Sequence, residues 1–371
     1  MTTSPDLSSE YYIGLISGTS MDGIDAALVQ FGESDLSIVA TTQYDYPDEL
    51  RQELFAASRH PDSCVLDTLG QLGTWVGESF RDASLALLRL AMIDANQVRA
   101  IGSHGQTIRH RPEAAHRFTL QIGDPAIIAT GTGIDTVADF RSADMALGGE
   151  GAPLTPAFHE WLFRDDSTSR IILNIGGIAN ITVLPMGDDA VTGFDTGPGN
   201  TLLDAWIERH AGASFDDDGR WAAEGTVNDH LLHELLKDEW FAKKAPKSTG
   251  FEYFNLDWLA TKLPENLATV DVQATLVELT AKSISSCMPP TIGDVFVCGG
   301  GAHNTYLLQR IGAQLSNVNI SATSAVGLDP DWVEAVAFAW LAMRKIKGKT
   351  GNLPAVTGAS RATVLGALYA A

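Results

Sequence analysis

Asp195 lies in FDTGPGN (Phe194–Asn200), among a threonine, two glycines and a proline that stiffen the chain around it. A carboxylate fixed in this way can take a proton from water or a hydroxyl as a general base. The same letters also fit an aspartate that only caps the helix expected from Thr201. A second group is GSHGQT (Gly102–Thr107), followed by Arg109, His110 and Arg111, with Arg141 after Asp139 and Phe140. Ser103, His104 and the arginines gather donors and positive charge at an expected strand end, the chemistry that anchors a carboxylate. The plainer alternative is a satisfied loop histidine at His104 and solvated arginines.

Three glycine turns follow strands: GTSMDG (Gly18–Gly23), Gly176-Gly177 within RIILNIGGIANITVLP (Arg170–Pro185), and GGGAHN (Gly299–Asn304). Main-chain N–H groups in such turns can close on phosphate oxygens because no side chain intervenes. In the first turn Thr19 and Ser20 add hydroxyls, and Asp22 adds a carboxylate suited to Mg²⁺ or to a substrate. An ordinary Asp-Gly hairpin fits the same stretch. At Gly299, Gly300 and Gly301 a flat base or ribose can lie against the backbone, whereas a tight turn needs only one glycine. Turns of one plan in separate halves imply two facing lobes holding one nucleotide.

The elements that must position these groups come from a chain of 371 residues, more than one core usually supports. Hydrophobic residues make up 45% and charged residues 19%, so the chain folds, with only the polar first ten or so residues expected to be disordered. Against 25 basic residues stand 46 acidic ones, a net charge of -21 that opposes general binding to nucleic acid or anionic membrane. An anionic ligand therefore needs a local basic pocket. Cys64, Cys287 and Cys298 are scattered and lack CxxC spacing, which fits a reducing compartment and neither a disulfide framework nor a zinc knuckle. No basic-then-apolar leader and no run of about 18 apolar residues occurs, so the expected location is cytoplasmic.

Period-two runs predict strands at Ile24–Phe31 and Leu36–Thr42, and helical periods follow at Asp48–Arg59 and Leu66–Ala91. Strands at Arg99–Ser103 and Arg117–Ile122, and a short helix from Pro125 before Ile134–Ala138, complete a first lobe over 1–140. Asp139–Pro156, glycine-rich and without period, is the expected crossover. The second lobe, 141–351, is expected to hold a helix from Thr201, another over Asp271–Met288, the strand Val295–Cys298 and a helix Trp332–Ile346 capped by Asp331. The tail 352–371 is a candidate to return to the first lobe through a helical run, Ala362–Tyr369. P-loop, GxGxxG, HExxH and GxSxG signatures are missing, which disfavours P-loop ATPases, Rossmann dehydrogenases, zincins and serine hydrolases.

SGTSMDGIDAAL, GSHGQT, QIGDP, ADFR, GGEGAPLTP, NIGGIANIT, GFDTGPGN, CGGGAHN and DPDWVEAVAFAWLA occur in this order over residues 17–344. The series resembles the signature of the anhydro-N-acetylmuramic acid kinase family. That resemblance implies an α/β, two-lobed actin/hexokinase-like (ribonuclease H-like) ATPase fold with a central nucleotide cleft. It implies ATP, with Mg²⁺, at Gly18, Thr19, Ser20, Met21, Asp22, Gly23, Ile24, Asp25, Gly176, Gly177, Gly299, Gly300 and Gly301. Sugar contacts are implied at Ser103, His104, Arg141 and Glu334, with Asp195 as catalytic base. Metal ligands stay unassigned, because Ser17 and Asn174 stand before two turns where the wider superfamily often has aspartate. The implied reaction belongs to peptidoglycan recycling: water opens the bridge of 1,6-anhydro-N-acetylmuramic acid at C1, and O6 takes the γ-phosphoryl group of ATP. A small-molecule amino sugar is then the partner, nucleic acid and membrane are not, and a homodimer is an open assembly. The rival readings are a kinase of another, open amino sugar and a sugar-independent actin-like ATPase switch.

Overall fold

The computed structural model describes residues 10–18, 21–59, 64–245, 247–315 and 318–371. Residues 1–162 with 332–371 form one compact unit and residues 163–331 a second. The first unit contains strands β1 (Tyr11–Ser17), β2 (Gly23–Phe31) and β3 (Leu36–Asp45), then helices α1 (Asp48–Arg59) and α2 (Leu66–Ala91). It continues through β4 (Val98–Arg111), β5 (Phe118–Ile122), α3 (Pro125–Thr132), β6 (Thr136–Ala138), α4 (Ser142–Ala146) and α5 (Thr155–Phe163). The second unit runs β7 (Arg170–Ile175), β8 (Ile178–Leu184), β9 (Thr192–Pro198), α6 (Thr201–Ala211), α7 (Arg220–Glu224), α8 (Asp229–Leu236), α9 (Leu256–Ala260), α10 (Thr269–Ser286), β10 (Asp294–Cys298), α11 (Thr305–Gln314) and β11 (Asn319–Ala322). The chain then gives α12 (Val333–Ile346), α13 (Pro354–Thr357) and β12 (Ala367–Tyr369) to the first unit.

Both sheets follow one plan. In the first, β1, β2 and β3 form an antiparallel meander, and β4 joins β1 in parallel with β6 beyond it. In the second, β7, β8 and β9 form the meander, and β10 joins β7 in parallel with β11 beyond it. The fold is mixed α/β, with a repeated strand–turn–strand unit that carries a glycine turn at the same place in each half. Leu50, Leu54 and Ala57 of α1, and Leu72, Val76, Phe80 and Leu87 of α2, are buried at helical spacing in the core of the first unit. Leu202 and Trp206 of α6 join Val272, Leu276 and Leu279 of α10 in the core of the second.

Glycine sets how closely α12 can lie on the first sheet. A Cβ at Gly14 of β1 would stand 1.8 Å from the carbonyl oxygen of Ala335, and one at Gly102 of β4 would stand 2.1 Å from that of Phe338. The helix therefore rests on bare backbone, and alanines 335, 339 and 342 lie on the face that meets it. Its first turn carries Glu334.

Several elements depart from the sequence expectation. GSHGQT is not a strand end, because β4 runs on to Arg111 and pairs there with β5. Asp139–Pro156 contains α4 and packs within the first unit, so the crossings between units fall at 162/163 and 331/332 rather than near 140 and 351. Ala362–Tyr369 is not helical: Ala367–Tyr369 adds to the β6 edge as an antiparallel strand, and ladder bonds outweigh the apolar period. Trp332, not Asp331, is the N-cap of α12, and the Asp331 carboxylate accepts instead from His303 at 2.8 Å.

Candidate active site

His104 and Arg141 meet in the first unit because β4 bulges. Leu15 pairs with Ser103, but Ser17 pairs with Gln106, so β4 holds one extra residue there and Gly105 takes a left-handed φ of 72°. A bulge of this kind re-aims a side chain out of the pleat. The His104 ring packs at a tilt against Phe338 of α12 with centroids 4.7 Å apart. Its Nδ1 donates to the Gly105 carbonyl at 2.9 Å, which leaves Nε2 to accept from Arg141 Nη2 at 2.9 Å and Nε at 3.2 Å. Burial and the Arg141 charge hold this imidazole far below its usual pKa, so it is neutral.

Arg141, the residue that opens α4, also donates through Nη1 to the Gly151 carbonyl at 2.9 Å. A guanidinium has five N–H groups, and these three contacts leave two without a partner among the described residues. Burial brings Arg141 down to about 10, with the Glu334 charge opposing. Glu334 is open to solvent at its surface, yet crowding by protein raises its carboxyl while Arg141 works the other way. The Ser103 hydroxyl is buried nearby on β4 without a hydrogen-bond partner. His110 Nδ1 lies 3.1 Å from Thr119 Oγ1, and burial with the Arg141 and Arg111 charges takes it down to about 4. Arg109 does not belong to this group. It donates to the Ala57 carbonyl at 3.1 Å and to Ser58, closing the C-terminal end of α1.

At the first glycine turn, Thr19 and Ser20 lie outside the described residues. The Gly18 carbonyl accepts from Gln106 Nε2 at 3.1 Å. Met21 and Ile24 point into the core, with 3% and 0% exposure, and Gly23 is demanded by the Tyr44 carbonyl, 2.7 Å from where its Cβ would be. Any ligand contact from these three is made by main chain. Asp25 pairs with Gln43 of β3 and is part-buried. Asp22 is exposed, and its charge is one of the causes that hold the buried Tyr46 phenol up, after burial itself. The Ser17 hydroxyl is buried at the end of β1.

In the second unit Asp195 sits on β9, not at a helix start, which removes the reading in which it only caps a helix. Ala179 pairs with Gly197 while Asn180 pairs with Asp195, so Thr196 is the extra residue of a second bulge, with Gly197 at φ 145°. The segment between α8 and α9 grips this aspartate from outside. Asp195 N–H donates to the Lys247 carbonyl at 2.9 Å, and Asp195 Oδ2 accepts from Thr249 N–H at 2.9 Å. No pattern in KSTG (Lys247–Gly250) announces that grip in the sequence.

Beyond Asp195 the strand turns back on Gly176-Gly177. Gly199 and Thr201 donate to the Gly177 carbonyl at 2.9 and 3.1 Å, and Asn200 donates to that of Gly176 at 2.8 Å. Thr280 of α10 caps Pro198 from below at 3.1 Å. The glycines of this unit divide into two kinds. Gly199, Gly299 and Gly301 are required by the protein, since a Cβ would lie 2.3 Å from the Gly176 carbonyl, 2.4 Å from Asn174 Oδ1 and 2.3 Å from Ile175 Cγ2. At Gly176, Gly177 and Gly300 the nearest atoms are 3.7, 3.8 and 3.7 Å away and φ is ordinary, so nothing in the chain itself demands glycine there. Space kept clear beside these two turns is what phosphate or ribose needs.

A family model described as anhydro-N-acetylmuramic acid kinase matches residues 10–371. An anhydro-N-acetylmuramic acid kinase of Coxiella burnetii is 52% identical over 365 residues, 97% of each chain. One of Shewanella pealeana is 50% identical over 369 residues, 98% of this chain and 100% of the other. Among solved structures, component A of the (R)-2-hydroxyglutaryl-CoA dehydratase of Acidaminococcus fermentans is similar at a TM-score of 0.47 and 10% identity, over 89% of this chain and 96% of that one.

Proposed function

The chain belongs to the anhydro-N-acetylmuramic acid kinase family, and we propose that it is the ATP-dependent kinase that opens 1,6-anhydro-N-acetylmuramic acid and phosphorylates its O6, in peptidoglycan recycling. Water adds to C1 and gives up a proton to Asp195. The C1–O6 bond breaks, and the O6 electron pair takes the γ-phosphoryl group while ADP leaves. The products are N-acetylmuramic acid 6-phosphate, ADP and one proton. Charge developing on O6 passes to the phosphoryl group, so neither half of the reaction has to release a free alkoxide.

The residue roles in this reading are drawn from each unit separately. Asp195 is the base, and the Thr249 N–H fixes one of its oxygens. Arg141 is the anchor for the lactyl carboxylate. The observation that carries this role is the pair of guanidinium N–H groups left over after His104 and Gly151 are served. His104 spends both nitrogens on Gly105 and Arg141, so it orients the guanidinium rather than binding sugar. Ser103 and Glu334 supply polar contacts. Within the second unit Gly176, Gly177 and Gly300 offer bare main chain to ATP, and within the first unit Gly18 does. Mg²⁺ accompanies ATP to neutralise phosphate charge. Asp22, an exposed carboxylate in an oxygen-rich turn with Ser17, is the residue suited to hold it. A cytoplasmic location belongs to the same proposal. ATP is the phosphoryl donor, and Cys64 and Cys287 are free thiols. Among the described residues no helix is long and apolar enough to cross a membrane.

The test is ATP consumption by the purified protein with the anhydro sugar, free N-acetylmuramic acid and N-acetylglucosamine supplied in turn. Turnover driven by the anhydro sugar alone is expected. Faster turnover with a free sugar would identify an ordinary hexosamine kinase, and turnover without sugar an ATPase switch.

A further inference from the structure

We propose that Asp144 is a positioning residue through which the C-terminal tail holds Arg141 in register for the substrate carboxylate. This rests on the assignment of Arg141 as that anchor. Asp144 is completely buried on α4, one turn from Arg141. Its Oδ1 accepts from Asn352 Nδ2 at 2.6 Å and from Thr357 Oγ1 at 2.7 Å, both in the tail. Its Oδ2 accepts from Gly151 N–H at 2.9 Å, and the Gly151 carbonyl in turn accepts from Arg141 Nη1 at 2.9 Å. A continuous path of hydrogen bonds and one glycine residue thus runs from the tail through the Asp144 carboxylate and Gly151 to the guanidinium.

The path has no substitute in the local chain. The five residues of α4 are too few to hold a helix by themselves, so the orientation of its opening arginine must come from outside. The tail also grips the loop that follows Asp144 at two points, through Glu150 N–H to the Thr357 carbonyl at 2.8 Å and Ser360 N–H to that of Leu147 at 2.9 Å. Gly149 makes room for the carboxylate, since a Cβ there would stand 2.1 Å from Asp144 Oδ2. A buried carboxylate costs much desolvation unless donors meet it, and here three donors do. Asparagine has nearly the same shape but would turn an N–H₂ group toward either Gly151 N–H or the tail donors, breaking the path at one end.

The experiment is a double-mutant cycle on the full-length enzyme with Asp144→Asn and Arg141→Ala, read as KM for the anhydro sugar, KM for ATP and kcat. Asp144→Asn should raise the sugar KM about tenfold, the scale of misaligning one charge-assisted contact, and leave the ATP KM unchanged. In the Arg141→Ala background the same change should add almost nothing. A merely structural Asp144 would instead give losses that multiply, or would move both KM values, and either result overturns the proposal. If Arg141→Ala raises the sugar KM but Asp144→Asn does not, only this inference fails. If Arg141→Ala itself leaves the sugar KM unchanged, the anchor assignment falls and this inference with it. Should circular dichroism show that Asp144→Asn does not fold, Thr357→Val removes one donor with little change of shape and decides by the same cycle. A sugar KM unchanged by Thr357→Val overturns the proposal.

Discussion

Asp195→Asn keeps an oxygen for the Thr249 N–H to bond and removes the basicity, so the variant should fold, bind ATP and lose kcat by roughly three orders of magnitude or more. A near-normal kcat in the purified variant would take Asp195 out of the mechanism. Asp204, one helical turn past the GPGN loop, makes a different prediction. Burial, with the Asp216 and Glu208 charges, raises its carboxyl from 3.8 to about 7. The folded state therefore holds this proton more tightly than the unfolded chain does. The stabilisation is fully present below about pH 4 and is lost as pH rises through 7. Asp204→Asn should gain stability over the parent between pH 5 and 8, measured by urea unfolding, and a constant difference across that range would contradict the assignment. The residue types of the site are legible in the sequence: His104 and Arg141 stand out as basic groups in an acidic chain, and Asp195 for its rigid surroundings. It did not show what holds them. The bulge at His104-Gly105 depends on pairing with β1, distant in the chain, that at Thr196-Gly197 on its register with β8, and neither Thr249 nor Asp144 sits in a pattern that names a partner.

The glycines make the elements testable. Gly102→Ala places a methyl group 2.1 Å from the Phe338 carbonyl, so α12 must lift from the sheet, at a cost of roughly 1–3 kcal/mol. Gly177→Ala and Gly300→Ala bring a Cβ no closer than 3.8 and 3.7 Å to the rest of the chain, so both proteins should keep their melting temperature while KM for ATP rises severalfold or more. Unchanged nucleotide affinity in both would remove these turns from the ATP site. Most elements were readable because their apolar period is local: the expected helices at Asp48–Arg59 and Leu66–Ala91 coincide with α1 and α2. The misreadings share one cause. A glycine pair inside β4 looked like a terminator, and the apolar tail looked helical, because β5 and the β6 edge, which extend these stretches as strands, are not visible from the stretches themselves.

On the scale of the whole molecule, the proposed reading has a chain of net charge -21 take up two anionic ligands with uncharged main-chain turns and one arginine held by a neutral histidine rather than with a broad basic face. The two sheets built on one meander-plus-parallel plan put a glycine turn in each half, which is why the short strand–turn–strand repeat was the part of the fold most open to reading from sequence. In the proposed reaction the protein cleaves the anhydro bridge with water while it phosphorylates. The direct measurement is the reaction in ¹⁸O-water, with the product reduced early to the alditol to stop anomeric exchange and then analysed by mass spectrometry. The label should appear on the new C1 hydroxyl, with O6 unlabelled between sugar and phosphorus. Label in inorganic phosphate with the anhydro bridge intact would contradict the account.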